Sequence, residues 1–96
     1  MTSKQRAKLR SIATHETALF QIGKGGLSDE LLDGLSQALD KRELIKVSVL
    51  KTAPSSAKEL LRDCAEALKA EAVAATGNTF VLYRFSKADG VKHIEL

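Results

Sequence analysis

The feature that most constrains the fold of this chain is the alternation of helical segments with short apolar runs. Apolar residues recur at helical spacing in Ser3–Ala13, in the segment that Ser28 introduces, and in Ala57–Glu71. The strand-like runs between and after these segments are Thr17–Ile22, Leu44–Leu50, Ala72–Ala75 and Thr79–Phe85. The pattern predicts the element order α-β-α-β-α-β-β.

Local signals indicate where the second and third helices begin. Ser28 is a good N-cap, and Asp29–Glu30 follow it in the first turn, where the positive end of the helix dipole favours acids. We expect this helix to end near Lys41–Arg42, because cations suit the negative end of the dipole. Ser56 and Glu59 have the spacing of a capping box, so the third helix should begin directly after Ser56.

This order of elements predicts an α/β fold in which residues 1–96 form a single domain. Crossovers of the β-α-β type are right-handed and bring parallel strands together under packed helices. Gly77-Asn78 lies between the last two runs and predicts a hairpin, which adds an antiparallel pair. We therefore expect a two-layer sandwich with a mixed four-stranded sheet, to which His93–Leu96 can add a short edge pairing.

The composition is that of an ordinary globular protein, with 44% apolar and 28% charged residues. Cys64 is the only cysteine, so no disulfide can form within the chain. No apolar run approaches the roughly 20 residues that span a membrane, and residues 4–10 lack the pattern of a signal peptide. We expect a cytoplasmic, monomeric protein without a membrane partner.

The net charge of +3 is concentrated in two basic blocks. Residues 1–14 contain four bases and no acid, and residues 40–51 contain four bases and two acids. Residues 15–39, by contrast, contain one base and four acids. Clustered cations favour an anionic partner such as a nucleic acid, although such blocks can also serve solubility alone.

The glycine-rich stretch Gly23-Lys24-Gly25-Gly26 joins the first predicted strand to the second helix. Glycines remove Cβ atoms and permit positive φ, so backbone N–H groups can approach an anion closely. The start of the helix adds unsatisfied N–H groups and a positive dipole end, and Lys24 adds a cation. This combination suits a sugar-phosphate backbone, the use that KH domains make of their G-x-x-G loop. A tight turn without a ligand fits these four residues equally well.

Four further cations extend the predicted RNA-binding surface. Lys8 and Arg10 belong to the acid-free first helix, and Lys46 is a weaker candidate on the second predicted strand. A plain solvated face is the alternative for the helix. Arg84 stands beside an aromatic residue, where it could stack on bases or contact phosphate, or equally pair with an acid on a helix. Acids follow the glycine loop and would repel phosphate, so we expect RNA to run from the loop toward Lys8 and Arg10.

Catalytic and metal sites find little support in the sequence. Lys24 is followed by Gly25 where a Walker loop requires Ser or Thr, and Ser28 stands where the dinucleotide fingerprint needs its third glycine. His15 and His93 are far apart and have no Cys or carboxylate at ligand spacing. No pairing of a nucleophile with a base suggests itself. We therefore expect no enzyme activity, no metal and no cofactor.

Five stretches of the chain, in order, resemble the YhbY family, whose members are stand-alone CRM domains (chloroplast RNA splicing and ribosome maturation). They are Lys8–Ala13, Gln21–Ser28, Ala38-Leu39, Glu43–Val47 and Leu82–Arg84. The resemblance implies a β-α-β-α-β-β core preceded by a helix, similar to the C-terminal domain of translation initiation factor three. It also implies RNA binding through the G-x-x-G loop, here Gly23–Gly26, with basic residues nearby.

The resemblance also implies a biological setting. Bacterial single-domain members are linked to precursors of the large ribosomal subunit, and plant multi-domain relatives assist intron splicing. This chain has one copy of the domain and looks like the bacterial kind, which implies binding of ribosomal RNA during large-subunit assembly. The chain departs from the family in Ala72–Ala75, which is poor in β-branched residues, and in Gly25, which replaces a larger polar residue.

A protein-interaction module is the alternative from another functional class. Such a module would dock on ribosomal proteins or assembly factors through a helix face. Binding that barely responds to salt would favour this alternative, because phosphate contacts weaken steeply as salt is added.

Overall fold

The computed structural model describes residues 1–96 and contains three helices and four strands. The helices are α1 (Ser3–Ala13), α2 (Asp29–Arg42) and α3 (Ala57–Leu68). The strands are β1 (Phe20–Ile22), β2 (Leu44–Val49), β3 (Glu71–Thr76) and β4 (Thr79–Tyr83). The predicted order α-β-α-β-α-β-β is confirmed. None of the three helices has the length and apolar character needed to cross a bilayer.

The predicted N-caps are present at the starts of α2 and α3, but the capping box expected at Ser56 is incomplete, because the Glu59 carboxylate accepts from the Ser56 hydroxyl at 3.1 Å and not from the Ser56 amide. The Ser28 hydroxyl accepts a hydrogen bond from the Leu31 amide at 3.1 Å. The Ser56 hydroxyl accepts from the Glu59 amide at 3.2 Å. These contacts satisfy amides that have no carbonyl partner in the first turn of a helix. The second helix ends at Arg42, as its basic last turn predicts.

The sheet is mixed and has the strand order β1-β2-β4-β3. β1 and β2 are parallel, whereas β4 lies between β2 and β3 and is antiparallel to both. β1, β2 and β3 therefore end at the same edge of the sheet, which we call the carboxyl edge. Backbone hydrogen bonds join the segments there. The Leu50 amide donates to the Ile22 carbonyl at 2.8 Å, and the Val49 amide donates to the Asn78 carbonyl at 2.6 Å.

Helices cover both faces of the sheet. α2 and α3 pack on one face, where Ile45, Val47 and Phe80 are buried. α1 packs on part of the opposite face, where Leu9 belongs to the same buried cluster as Val81. The sandwich and its mixed sheet are confirmed, and α1 adds a partial third layer to the two that were predicted. The reason is that β4 is apolar on both faces, so both faces must be shielded from water.

Several segment boundaries differ from the prediction, among them the ends of β2 at Val49 rather than Leu50 and of β4 at Tyr83 rather than Phe85. α3 ends at Leu68 because Lys69 adopts a left-handed conformation with φ 53°. Glu71, the predicted last residue of this helix, begins β3 instead. β3 pairs with β4 along its length with one register shift, so pairing compensates for its few β-branched residues. β1 begins at Phe20 rather than at Thr17.

The tail after β4 forms no strand, so the edge pairing predicted for His93–Leu96 is wrong. The buried carboxylate of Glu43 holds this tail instead. It accepts hydrogen bonds from the amides of Ser86 at 2.7 Å and Ile94 at 2.9 Å, and His93 Nδ1 lies 2.8 Å from it. Burial disfavours the charged form, but these hydrogen bonds outweigh burial and lower the pKa of Glu43. Because Glu43 directly precedes β2, the tail is fixed at the edge opposite the carboxyl edge.

Candidate nucleic-acid interface

The loop between β1 and α2 forms a tight turn that requires glycine at position 26. The Gly26 amide donates to the Gly23 carbonyl at 3.0 Å. Gly26 has φ +61°, in the left-handed region that side chains disfavour. A Cβ atom at this position would lie 3.1 Å from Cγ of Pro54, in the loop that follows β2. The glycine loop is therefore braced against a neighbouring loop at the carboxyl edge.

The other three amides of the glycine loop are not used by hydrogen bonds within the chain. Gly23, Lys24 and Gly25 donate no hydrogen bond to another group of the chain. Lys24 and Gly25 are exposed, and a Cβ atom added at Gly25 would meet nothing within 4 Å. Successive unpaired amides beside a lysine can donate hydrogen bonds to an anion.

Acidic residues restrict the direction from which an anion can approach this loop. Asp29 and Glu30 are exposed in the first turn of α2, and Asp33 is exposed one turn further along. Like charges repel, so a phosphate chain is disfavoured over the exposed face of α2. α1 lies on the opposite face of the sheet, and an approach from that side avoids these acids.

A shallow groove on the α1 face carries two of the predicted cations. Its volume is about 220 Å³, and it opens between the last turn of α1 and strands β2, β4 and β3. Arg10 and Lys46 line it, and no acidic side chain does. The remaining lining residues are apolar or carry hydroxyls: Ala13, Thr14, Ala74, Thr76, Thr79 and Val81. We call this feature the Arg10–Lys46 groove.

A row of polar residues connects the glycine loop with this groove. Gln21 in β1 pairs with Ser48 in β2. Ser48 also pairs with Thr79 in β4, which in turn pairs with Thr76 at the end of β3. Neighbouring strands are about 4.8 Å apart, so Thr79 lies roughly 10 Å across the sheet from Gln21. Gln21 precedes Gly23 by two residues, and the loop and the groove therefore share the carboxyl edge.

Lys8 lies apart from the Arg10–Lys46 groove. It lines a separate depression whose other residues are Thr2, Lys4, Gln5 and Leu96. Arg6 of α1 donates from Nε to the Ala72 carbonyl at 3.2 Å and fixes the helix against β3. The structure brings two of the predicted cations together and places Lys8 elsewhere.

Arg84 contacts protein, at the edge of the sheet opposite the carboxyl edge. Its guanidinium donates to the Leu68 carbonyl at 2.9 Å and to the Ser36 carbonyl at 2.8 Å. It also forms an ion pair with Asp40 of α2 at 3.1 Å, which is the alternative that the sequence left open. Arg84 therefore ties β4 to α2 and to the end of α3, and we exclude it from the candidate interface as a correction.

The sequence did not single out Thr14, Thr76 and Thr79, which line the groove. Isolated threonines form no motif, and only the strand register shows that they share a surface with two cations. The one signal visible in advance is the alternation of Lys46 with Ser48 on the half-buried side of β2.

The remaining candidate groups have simple surroundings. Cys64 is buried in the core, as predicted, and burial raises the pKa of its thiol to about 11. His15 is exposed after the end of α1. No three His, Cys, Asp or Glu side chains lie together as a metal site.

The chain is similar to a described domain family and to proteins from two bacteria. The family model for the CRS1 / YhbY (CRM) domain matches residues 1–84. The "Probable RNA-binding protein YqeI" of Bacillus subtilis is 42% identical over 96 residues, which cover 100% of this chain and 98% of that protein. An "RNA-binding protein" of Haemophilus influenzae is 30% identical over 87 residues, which cover 91% of this chain and 88% of the relative.

A solved structure shares the fold. It is the solution structure of the hypothetical protein SAV1595 from Staphylococcus aureus, to which RNA binding is ascribed. The TM-score is 0.82 at 42% sequence identity, and the match covers 100% of this chain and 98% of that chain.

Proposed function

Because the chain belongs to the CRS1/YhbY (CRM) domain family, we propose that it binds RNA and that the Gly23–Gly26 loop holds the phosphate backbone. Relatives in Bacillus subtilis and Haemophilus influenzae are named as RNA-binding proteins. One observation carries the proposal for the loop. Three unpaired amides and Lys24 lie at the same edge of the sheet as an acid-free groove with two cations.

The glycine loop and the Arg10–Lys46 groove contact different phosphates of the RNA backbone. The amides of Gly23, Lys24 and Gly25 donate hydrogen bonds to phosphate oxygens, and the Lys24 side chain neutralises charge. Arg10 and Lys46 neutralise further phosphates on the α1 face. Contacts of this kind fix the position and orientation of the nucleic acid without reading its sequence.

The RNA that we propose is ribosomal and belongs to precursors of the large subunit. The resemblance to the bacterial single-domain members supports this target and a role in ribosome assembly. In this proposal the protein acts in the cytoplasm as a monomer, without catalysis and without a cofactor.

The variant that tests the loop is Lys24→Ala/Gly25→Asp. Position 25 has open space around it, whereas position 26 cannot accept a side chain without strain, so this variant keeps the fold. We expect the affinity for a fluorescent transcript of large-subunit ribosomal RNA to fall about tenfold or more, since the lost contact of the Lys24 ammonium with a phosphate is worth roughly 1.5 kcal/mol and the added carboxylate repels phosphate. The slope of log affinity against log salt should decrease by about 1.

Lys58→Asp is the matched control, because it changes the net charge by the same amount on the exposed surface of α3. It should leave the affinity nearly unchanged. Equal affinity of the loop variant and the wild type, with intact circular dichroism, would remove the loop from the mechanism. Binding that barely responds to salt would favour docking on a protein partner instead.

The target is tested separately, by crosslinking the protein to RNA in cells and sequencing the attached fragments. We expect fragments of large-subunit ribosomal RNA that include precursor sequences. Fragments drawn mainly from messenger RNA or from the small subunit would contradict the proposed target and leave RNA binding itself intact.

A further inference from the structure

We infer that the Arg10–Lys46 groove binds one ribose-phosphate unit of the RNA and distinguishes RNA from DNA through the ribose 2′-hydroxyl. This inference rests on the proposed RNA binding and adds the chemical group that the groove recognises. It is carried by the hydrogen-bonding state of the side chains that line the groove.

The cations of the groove supply only hydrogen-bond donors. Arg10 and Lys46 both line it, and neither side chain forms an ion pair with an acid of the chain. Arginine and lysine carry no acceptor, so the groups that they can bind are acceptors such as phosphate oxygens. The groove therefore has a place for the anionic part of a nucleotide.

Two hydroxyls of the groove have the opposite character. The Thr14 hydroxyl donates to the Ser11 carbonyl at 2.7 Å, and the Thr79 hydroxyl donates to the Thr76 carbonyl at 3.0 Å. A hydroxyl has one proton and two acceptor lone pairs. Because each proton is already donated within the chain, both oxygens can only accept a further hydrogen bond.

A phosphate diester carries no proton at neutral pH, so it cannot donate a hydrogen bond to either threonine oxygen. The ribose 2′-hydroxyl can donate a hydrogen bond, and it is the group that distinguishes RNA from DNA. Deoxyribose has no hydroxyl at this carbon. A groove that combines cationic donors with acceptor hydroxyls is therefore complementary to a phosphate beside a ribose.

The groove offers no surface on which a base could stack. Its apolar lining consists of Ala13, Ala74 and Val81, without an aromatic ring. Phe80, the neighbour of Thr79, is buried on the other face of the sheet. Since single-stranded RNA is read in sequence by stacking and by contacts to base edges, this groove selects the sugar and not the base.

The position of the groove suits a strand that enters at the glycine loop. Gln21 and Ser48 lie in the register row between the loop and Thr79, and both have polar side chains. A strand that follows this row stays on the α1 face and avoids the acids of α2. The loop then holds the backbone, and the groove identifies it as RNA.

The test is Thr14→Val/Thr79→Val, which keeps the side-chain shape and removes both hydroxyls. The probes are fluorescent single-stranded 12-mers of one base sequence, made as RNA, as 2′-O-methyl RNA and as deoxyuridine-containing DNA, and binding is followed by anisotropy. We expect the wild type to prefer RNA over both other probes. The variant should lose roughly fivefold in RNA affinity, the usual effect of losing the one hydrogen bond that a single 2′-hydroxyl can donate, and bind DNA as the wild type does.

Two further variants separate the possible outcomes. Thr17→Val, at an exposed position outside the groove, should keep the RNA preference. The loop variant Lys24→Ala/Gly25→Asp should weaken RNA and DNA alike and also keep the preference. Thermal unfolding shows whether each variant is folded at the assay temperature.

A wild type that binds RNA and DNA equally well, but responds to the loop variant, would overturn the inference and leave the proposed function standing. A preference that survives in Thr14→Val/Thr79→Val would also overturn it. A wild type that binds no RNA would contradict both the inference and the proposed function.

Discussion

Gly26 and Pro54 approach so closely that a Cβ atom on Gly26 would lie 3.1 Å from Cγ of the proline ring. The contact joins the loop after β1 to the loop after β2, two parallel strands that end side by side. Gly26 also has φ +61°, so the same residue meets both a steric and a conformational demand. The shape of the glycine loop thus depends on a residue that offers no side chain to a ligand.

Gly26→Ala should therefore destabilise the fold by about 1–3 kcal/mol, the usual cost of a strained left-handed conformation. The measurement is the free energy of unfolding from urea titration followed by circular dichroism. Gly25→Ala is the control in the same loop, because position 25 has no positive φ and no atom within 4 Å of an added Cβ. Equal stability of the two variants would show that the contact with Pro54 does not constrain the loop.

Arg84→Lys should destabilise the protein on the order of 2–3 kcal/mol while leaving the affinity of the folded protein for RNA nearly unchanged. The guanidinium donates to carbonyls of both α2 and α3, and a lysine ammonium cannot reproduce this planar fork. Because the substitution keeps the charge, long-range attraction to RNA is preserved. The measurements are urea unfolding and RNA binding at a temperature where the variant is folded. A large loss of affinity with unchanged stability would restore Arg84 to the RNA-binding surface.

Glu43→Gln should lower stability at pH 7 by about 1–3 kcal/mol, since the neutral amide replaces a charged acceptor of three hydrogen bonds. The pKa of Glu43 lies below its ordinary value of 4.5, so the native state favours the ionised form. Its contribution is therefore present above about pH 4.5 and is lost as the pH falls through the native pKa. Urea titrations between pH 3 and pH 7 should show the wild-type advantage shrinking toward low pH. A difference that stays constant over this range would contradict the role of the carboxylate.

Arg10→Ala/Lys46→Ala should weaken RNA binding more than Lys4→Ala/Lys8→Ala, although both variants remove two positive charges. The first pair lines the groove at the carboxyl edge, and the second lines a separate depression. Loss of two phosphate contacts should decrease the slope of log affinity against log salt by about 1.4. Titrations of a fluorescent RNA at several salt concentrations measure both quantities. If the two variants lose equal affinity and slope, binding follows total charge and not this surface.

Much of the fold follows from local properties of the sequence. Helix starts are set by side chains that cap their own first turn, and Ser28 and Ser56 both do so. The strands follow from short apolar runs, and the glycine loop lies where its residues predict a break. Each of these properties depends on residues only a few positions apart, so a local sequence pattern is enough to predict it.

The properties that the sequence did not predict depend on residues far apart in the chain. Arg84 finds its acidic partner, Asp40, 44 residues away. The Glu43 carboxylate accepts a hydrogen bond from the amide of Ile94, 51 residues away. This bond fixes the tail, whose residues are strand-like, without pairing it to the sheet. The insertion of β4 between β2 and β3 likewise decides that Thr79 lies near Lys46. No spacing rule records such contacts, and only the packed structure shows them.

The central position of the last strand has a consequence for how the protein is made. A chain leaves the ribosome from its N-terminus, so β1, β2 and β3 emerge before the strand that joins β2 to β3. Until residues 79–83 are free, β3 has no partner, and Val73 and Leu44 have no β4 neighbours to pack against. Folding of the whole sheet must wait until residues 79–83 have left the ribosome. A nascent chain truncated before Thr79 should therefore lack the groove, whatever the state of its glycine loop.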